Sequence, residues 1–185
     1  MPSRADPYTA YQTDDGLYSQ EWFIQSFLDL AEDLDDAAAE GKRFAIMWEL
    51  RGCPYCRQTH LVNFARPEIN DYVRERFNVL QLNFLGSREV TDFDGEVLPE
   101  KELARKYNIR FTPTFQFFPG SAAEIGGGTG PDVEVERMAG YFRPFHFYAM
   151  FQYVAERAYE GGSFRPFLQA RFDAMTASGI DVEGW

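Results

Sequence analysis

The stretch that most restricts the fold runs from Lys42 to about Phe64. Lys42–Leu50 (KRFAIMWEL) reads as a mostly buried strand. Arg51-Gly52-Cys53-Pro54-Tyr55-Cys56 follows with no spacer, and a helical pattern begins at Pro54 and continues to about Phe64. Proline suits the first position of a helix, where its missing N–H leaves nothing unpaired. Cys53 then falls on the N-cap, between the end of a strand and the start of a helix. A strand that feeds straight into a helix belongs to a layered α/β arrangement.

The remaining pattern agrees. Residues 1–18 read as an irregular arm, with Pro2, Pro7, Asp14-Asp15 and Gly16. Phe23, Phe27, Ala31, Leu34 and Ala38 recur at spacings of four and three, which predicts a helix from about Gln20 to Glu40, ended by Gly41. A second helix is expected over Pro67–Phe77, a strand over Asn78–Leu85, a loop over Gly86–Leu98 and a short helix over Pro99–Tyr107. Thr114–Phe118 and Val133–Met138 read as strands, with a glycine-rich flexible hairpin at 120–131 between them. That connection has no following Lys-Ser/Thr, which argues against a phosphate loop. Phe147, Met150, Phe151, Val154 and Ala158 mark the apolar face of a long helix, Gly161-Gly162 breaks it, and Phe164–Ala177 forms the last one. Alternating strands and helices predict an α/β sheet covered on both faces.

Charge and cysteine usage limit the function. The 185 residues include 29 acidic and 18 basic side chains, a formal net charge of -11. Phosphate binding requires a basic face, so a nucleic-acid partner is not expected. Nor is an electrostatic hold on anionic lipid. No apolar run approaches bilayer-spanning length, so no stable membrane insertion is expected. The first residues lack the apolar centre of a signal peptide, which suits either a cytoplasmic protein or a mature chain with a new start.

Cys53 and Cys56 are the only two cysteines. A disulfide framework would need more, at longer spacing, and a zinc site would need two further ligands. His60 lies four residues after Cys56, but Cys53, Cys56 and His60 make three ligands without a fourth, so neither a metal nor another cofactor is expected. Thiol–disulfide exchange remains. The free N–H groups and the dipole at a helix N-terminus favour a thiolate at Cys53. Cys56, one turn further in, is placed to attack the mixed disulfide that Cys53 forms. A non-catalytic carrier of sulfur or metal is the alternative from another class. A disulfide oxidase or isomerase is the alternative within this one.

A further signal is Phe111-Thr112-Pro113-Thr114-Phe115, where a proline enters a sheet strand although it cannot donate to the ladder. With this loop and the cysteine pair, the chain resembles the thioredoxin superfamily over about Arg43 to Glu160. Gly-Cys-Pro-Tyr-Cys at 52–56, Glu-Val-Thr-Asp-Phe-Asp-Gly at 89–95, Glu-Lys-Glu-Leu-Ala-Arg-Lys-Tyr at 100–107, Phe-Thr-Pro-Thr-Phe at 111–115 and Gly-Tyr at 140–141 are similar to the SoxW-like thioredoxins of bacterial sulfur-oxidation clusters. The resemblance implies a thioredoxin fold with a central mixed four-stranded sheet flanked by helices, and extra N-terminal and C-terminal helices. It implies one domain over 1–185, with an arm and helix at 1–41, a core at about 43–160 and a helical extension at 161–185. It also implies a periplasmic reductase acting on protein disulfides or sulfur carriers, with a membrane thiol transporter as electron donor. Pro54, Tyr55, Thr112 and Pro113 would bind substrate, with a cis bond at Thr112–Pro113 facing the cysteines.

One departure from the superfamily concerns proton handling. Its buried Asp, six residues before the first cysteine, is Met47 here. Glu49 faces the same side of the strand and is the candidate to take over that role for Cys56. His60 is read as a packing residue, Tyr55 and Trp48 as candidates to line the approach to Cys53, and Asp92, Asp94 and Glu96 as turn residues around Gly95.

Overall fold

The computed structural model describes Asp6 and residues 8–185. Its coordinates form two compact units, 1–141 and 142–185.

The first unit opens with a small antiparallel hairpin, β1 (Tyr11–Gln12) and β2 (Tyr18–Ser19). An irregular arm was expected there, of which residues 1–5 and 7 lie outside the described ones. The hairpin exists because Thr13 ties its turn: the Thr13 Oγ1 accepts from the Leu17 N–H at 3.0 Å, and Gly16 takes a positive φ of 83°. Helix α1 covers only Leu30–Ala39, where the periodicity predicted a start near Gln20. Leu28 adopts a φ of 62°, which ends any helical path from the N-terminal side, and Asp29 caps the helix by accepting from the Glu32 N–H. Phe27, counted in the apolar stripe, is 98% exposed for this reason.

The strand β3 (Arg43–Glu49) leads into α2 (Pro54–Gln58), which passes at once into a π-helical turn, Thr59–Asn63. Helix α3 (Pro67–Arg76) and strand β4 (Phe77–Asn83) follow. The loop expected at 86–98 carries a hairpin, β5 (Glu89–Thr91) with β6 (Val97–Pro99), turned at Gly95. Helix α4 (Glu100–Lys106) and strand β7 (Thr114–Phe117) come next. The glycine-rich connection is not a hairpin: it holds a one-turn helix, α5 (Ala122–Ile125), capped by Ser121 and closed by Gly126 in the left-handed region, and then a 3₁₀ turn at Pro131–Val133. Strand β8 (Glu136–Ala139) completes a four-stranded sheet in the order β4-β3-β7-β8. It is mixed, as expected: β3 and β4 are parallel, while β7 is antiparallel to both β3 and β8.

Strand alternation sorts the two faces. Phe44, Ile46 and Trp48 of β3, with Leu80 and Leu82 of β4, join Leu30 and Leu34 of α1, Leu103 of α4 and Tyr107 just after it in one apolar core. On the opposite face Phe115 and Phe117 of β7 meet Phe64 and Phe77, with Trp22 and Phe23 edge-on to Phe64.

The second unit contains α6 (Pro144–Ala155), a 3₁₀ turn at Ala158–Glu160 and α7 (Phe164–Ala177). Aromatic edges hold it together: Phe145 meets Phe172, and Tyr153 meets Phe164 and Phe167. The Tyr153 hydroxyl donates to the Gly162 carbonyl at 2.6 Å, fastening the break between the helices. Among the described residues no helix is long and apolar enough to cross a membrane.

Candidate active site

Cys53 stands at the N-cap of α2 with extended backbone, and Pro54 takes the first helical position. The Cys56 N–H donates to Cys53 Sγ at 3.1 Å, so the cap interaction and the reactive atom coincide. Gly52, with φ 78°, makes the turn out of β3 possible. The two cysteines are joined as a disulfide, with their Cα atoms 5.3 Å apart. They differ in access. Cys53 is half-buried, whereas Cys56 is 3% exposed. An incoming sulfur therefore reaches Cys53 far more readily.

The Thr112–Pro113 loop faces the pair. The bond between the two residues is cis, Thr112 Oγ1 donates to Cys53 Sγ at 3.4 Å, and the Thr112 carbonyl lies at the same distance from that sulfur. Pro113 is buried, and its carbonyl accepts from the Gly140 N–H. Tyr55 is 58% exposed beside the disulfide and stacks on Tyr141. Phe111 is also exposed. Trp48 does not line this approach. It is fully buried in the core on the α1 side, and its indole N–H donates to Gln116 Oε1 at 2.6 Å.

Glu49 is wholly buried at the end of β3. Its Oε1 accepts from His60 Nε2 at 2.8 Å and its Oε2 accepts from Gln81 Nε2. The polar chain continues outward. Asn70 donates to Gln20 Oε1 at 3.2 Å, which leaves the Gln20 amide nitrogen to donate to His60 Nδ1 at 2.9 Å. His60 Nδ1 thus accepts, and its proton sits on Nε2, aimed at Glu49. Burial pushes the Glu49 carboxyl above its ordinary range, and the hydrogen bond from His60 opposes that rise. His60 therefore does more than fill space, because it orients and partly compensates a buried acid.

No local pattern announces the π-turn, which lets Phe64 N–H reach the Thr59 carbonyl and turns His60 and Asn63 inward. Asn63 Oδ1 accepts from the Tyr141 hydroxyl at 2.9 Å, and so steadies the ring on which Tyr55 stacks. Gln20, Gln81, Asn70, Asn63 and Tyr141 were missed as parts of the site. Gln81 offered one signal, as the polar residue inside the apolar run NVLQLNFL. Asp92, Asp94 and Glu96 form a turn whose acids share Lys106. Among the described residues no group of three or more His, Cys, Asp or Glu side chains is placed to hold a metal ion.

Known proteins place this geometry in context. Residues 30–155 match the family described as a thioredoxin-like domain. Among solved structures, the chain is similar to a thioredoxin-fold protein from Helicobacter pylori, at 18% identity and a TM-score of 0.61, covering 83% of this chain and 89% of that one. It is also similar to a thioredoxin from Thermus thermophilus, at 27% identity and a TM-score of 0.50, covering 68% and 83%. No curated protein sequence matches it.

Proposed function

The chain belongs to the thioredoxin-like family, and from that premise we propose that it is a thiol–disulfide oxidoreductase in which Cys53 attacks and Cys56 resolves. The difference in access between the two sulfurs carries this reading. In the reducing direction, the Cys53 thiolate displaces one sulfur of a substrate disulfide, which leaves as a thiolate, and a Cys53–substrate disulfide forms. Cys56, as thiolate, then attacks Cys53 Sγ and releases the second substrate thiol, so two electrons pass to the substrate and the Cys53–Cys56 disulfide remains. Thr112 and Pro113, with Pro54 and Tyr55, hold the target segment as an added extended strand beside the pair. Glu49 takes the proton of Cys56 in the second step.

The motifs at 89–95 and 100–107 support a more specific role among SoxW-like proteins: a periplasmic reductase of protein disulfides or sulfur carriers, recharged by a membrane thiol transporter. Trapping tests the assignment of roles. Cys56→Ser should accumulate a mixed disulfide with a disulfide-containing protein such as insulin, and Cys53→Ser should form none. Equal trapping by both variants would show that the attacking and resolving thiols are assigned wrongly.

A further inference from the structure

A cavity of about 370 Å³ opens directly beside the disulfide. One wall is Leu50, Gly52, Cys53, Pro54 and Cys56, the other is Gln12, Gly16 and Tyr18 of the β1–β2 hairpin, and Arg57 completes the lining. The hairpin lies upstream of the residues that match the family, so this wall is an addition to the shared fold. It is held firmly. The Tyr18 carbonyl accepts from Gln81 Nε2 at 2.5 Å, the Tyr18 ring stacks near His60, and a Cβ added at Gly16 would lie 3.1 Å from the Arg51 side chain, so the turn rests on Arg51.

The charged side chain in the lining of this cavity, Arg57, is basic, against the sign of the molecule. The chain carries -11, yet Arg51 and Arg57 on either side of the cysteine pair are exposed, and among the described residues neither is in an ion pair. Basic residues elsewhere, such as Arg74, Arg88, Arg105 and Lys106, are paired with acids. Arg110, two residues before Thr112, is likewise exposed and donates to Asn108 Oδ1. Arg57 lines the cavity, and Arg51 packs against the Gly16 turn of its other wall. The cavity lining includes Arg57, Gln12 and Tyr18, three residue types able to donate hydrogen bonds.

We propose that this cavity is a subsite for a carboxylate lying one or two residues from the reacting cysteine of the substrate, and that the substrate is an acidic peptide segment of another protein. The proposal rests on the oxidoreductase reading above. The peptide source is favoured over a small thiol acid because exposed Tyr55 and Phe111 extend the surface beyond the cavity, as a bound chain needs. Arginine matches a carboxylate with two parallel N–H donors, and close charge complementarity changes both encounter rate and selectivity.

The test uses the full chain, reduced, against three short peptides carrying one cysteine as a 4-thiopyridyl mixed disulfide. The cysteine is flanked by Glu, Gln or Lys. The whole-molecule charge alone would favour the Lys peptide, whereas the subsite should make the Glu peptide react about tenfold faster than the Lys peptide at low salt. Arg57→Gln should collapse that ratio, and Arg57→Lys should restore part of it. Equal rates, or a faster Lys peptide, would overturn the proposal while leaving the oxidoreductase reading intact. No reaction with any of the three would remove both. A dithiodiglycolate arm against cystamine separates the sources: a preference confined to the small diacid would overturn the peptide as occupant.

Discussion

Glu49 shows how a single residue can be found by its position and still be misread in its setting. Strand alternation alone put it on the face opposite Trp48, and the structure keeps it there, fully buried. Its partners come from a π-turn and a neighbouring strand, with the loop residue Gln20 behind His60, and no local pattern announces such a meeting. A buried carboxyl needs every acceptor satisfied, which the His60–Gln20–Asn70 chain and Gln81 achieve. Glu49→Gln removes the ionisable group while keeping size and one acceptor. The decay of a Cys53 mixed disulfide, followed by acid quench, should slow about 10²–10⁴-fold near pH 7, the range for losing a positioned proton acceptor. Its pH profile should also lose the rise due to Glu49. An unchanged rate and profile would leave Glu49 a structural acid only.

At the scale of elements, apolar periodicity located the main strands and most helix bodies, and failed where backbone or side-chain caps decide. β3, β4 and β7 lie within a residue or two of their expected places, and α7 spans the expected residues. The stretch before α1 had the stripe of a helix, yet Leu28 in the left-handed region and the Asp29 cap shift the start by about one element. Helix α1 also gathers acids. Asp33 is 7% exposed, accepts from Ser26 Oγ at 2.7 Å, and is pushed up to about 6, first by burial and further by Asp36, Asp29 and Glu32, against the bond from Ser26. A carboxyl raised in the folded state gives stability that is full below its ordinary value of 3.8 and is lost as pH rises through about 6. Asp33→Asn should therefore flatten the profile. Between pH 4 and pH 7 the native protein should lose about 2–3 kcal/mol relative to the variant in urea unfolding. Parallel profiles would mean that Asp33 titrates as an exposed acid.

For the whole molecule, the setting of the cysteine pair was legible, because strand end and helix start are written in a few adjacent residues, whereas the cis bond at Thr112–Pro113 was expected from the superfamily resemblance. The second wall beside the disulfide was not legible, since it depends on a two-residue ladder, β1 with β2, that has no apolar signature. Charge acts at this scale too. Among the described residues, ion pairs such as Arg105–Glu102 and Arg157–Glu160 are partly exposed, and pairs of that kind contribute about 0–1 kcal/mol each. Against them stands the mutual repulsion of an excess of 11 negative charges in one small chain. Raising ionic strength from about 0.01 M to about 0.15 M shortens the Debye length from about 30 Å to about 8 Å, which removes long-range repulsion before it weakens contact pairs. The unfolding midpoint of the oxidised protein at pH 7 should therefore rise with sodium chloride over that range, by a few degrees, as a gain of about 1 kcal/mol implies for a chain of this size. The same titration in potassium chloride should give the same curve, because screening is blind to the ion. A midpoint that falls with salt would show that the contact pairs outweigh the net charge.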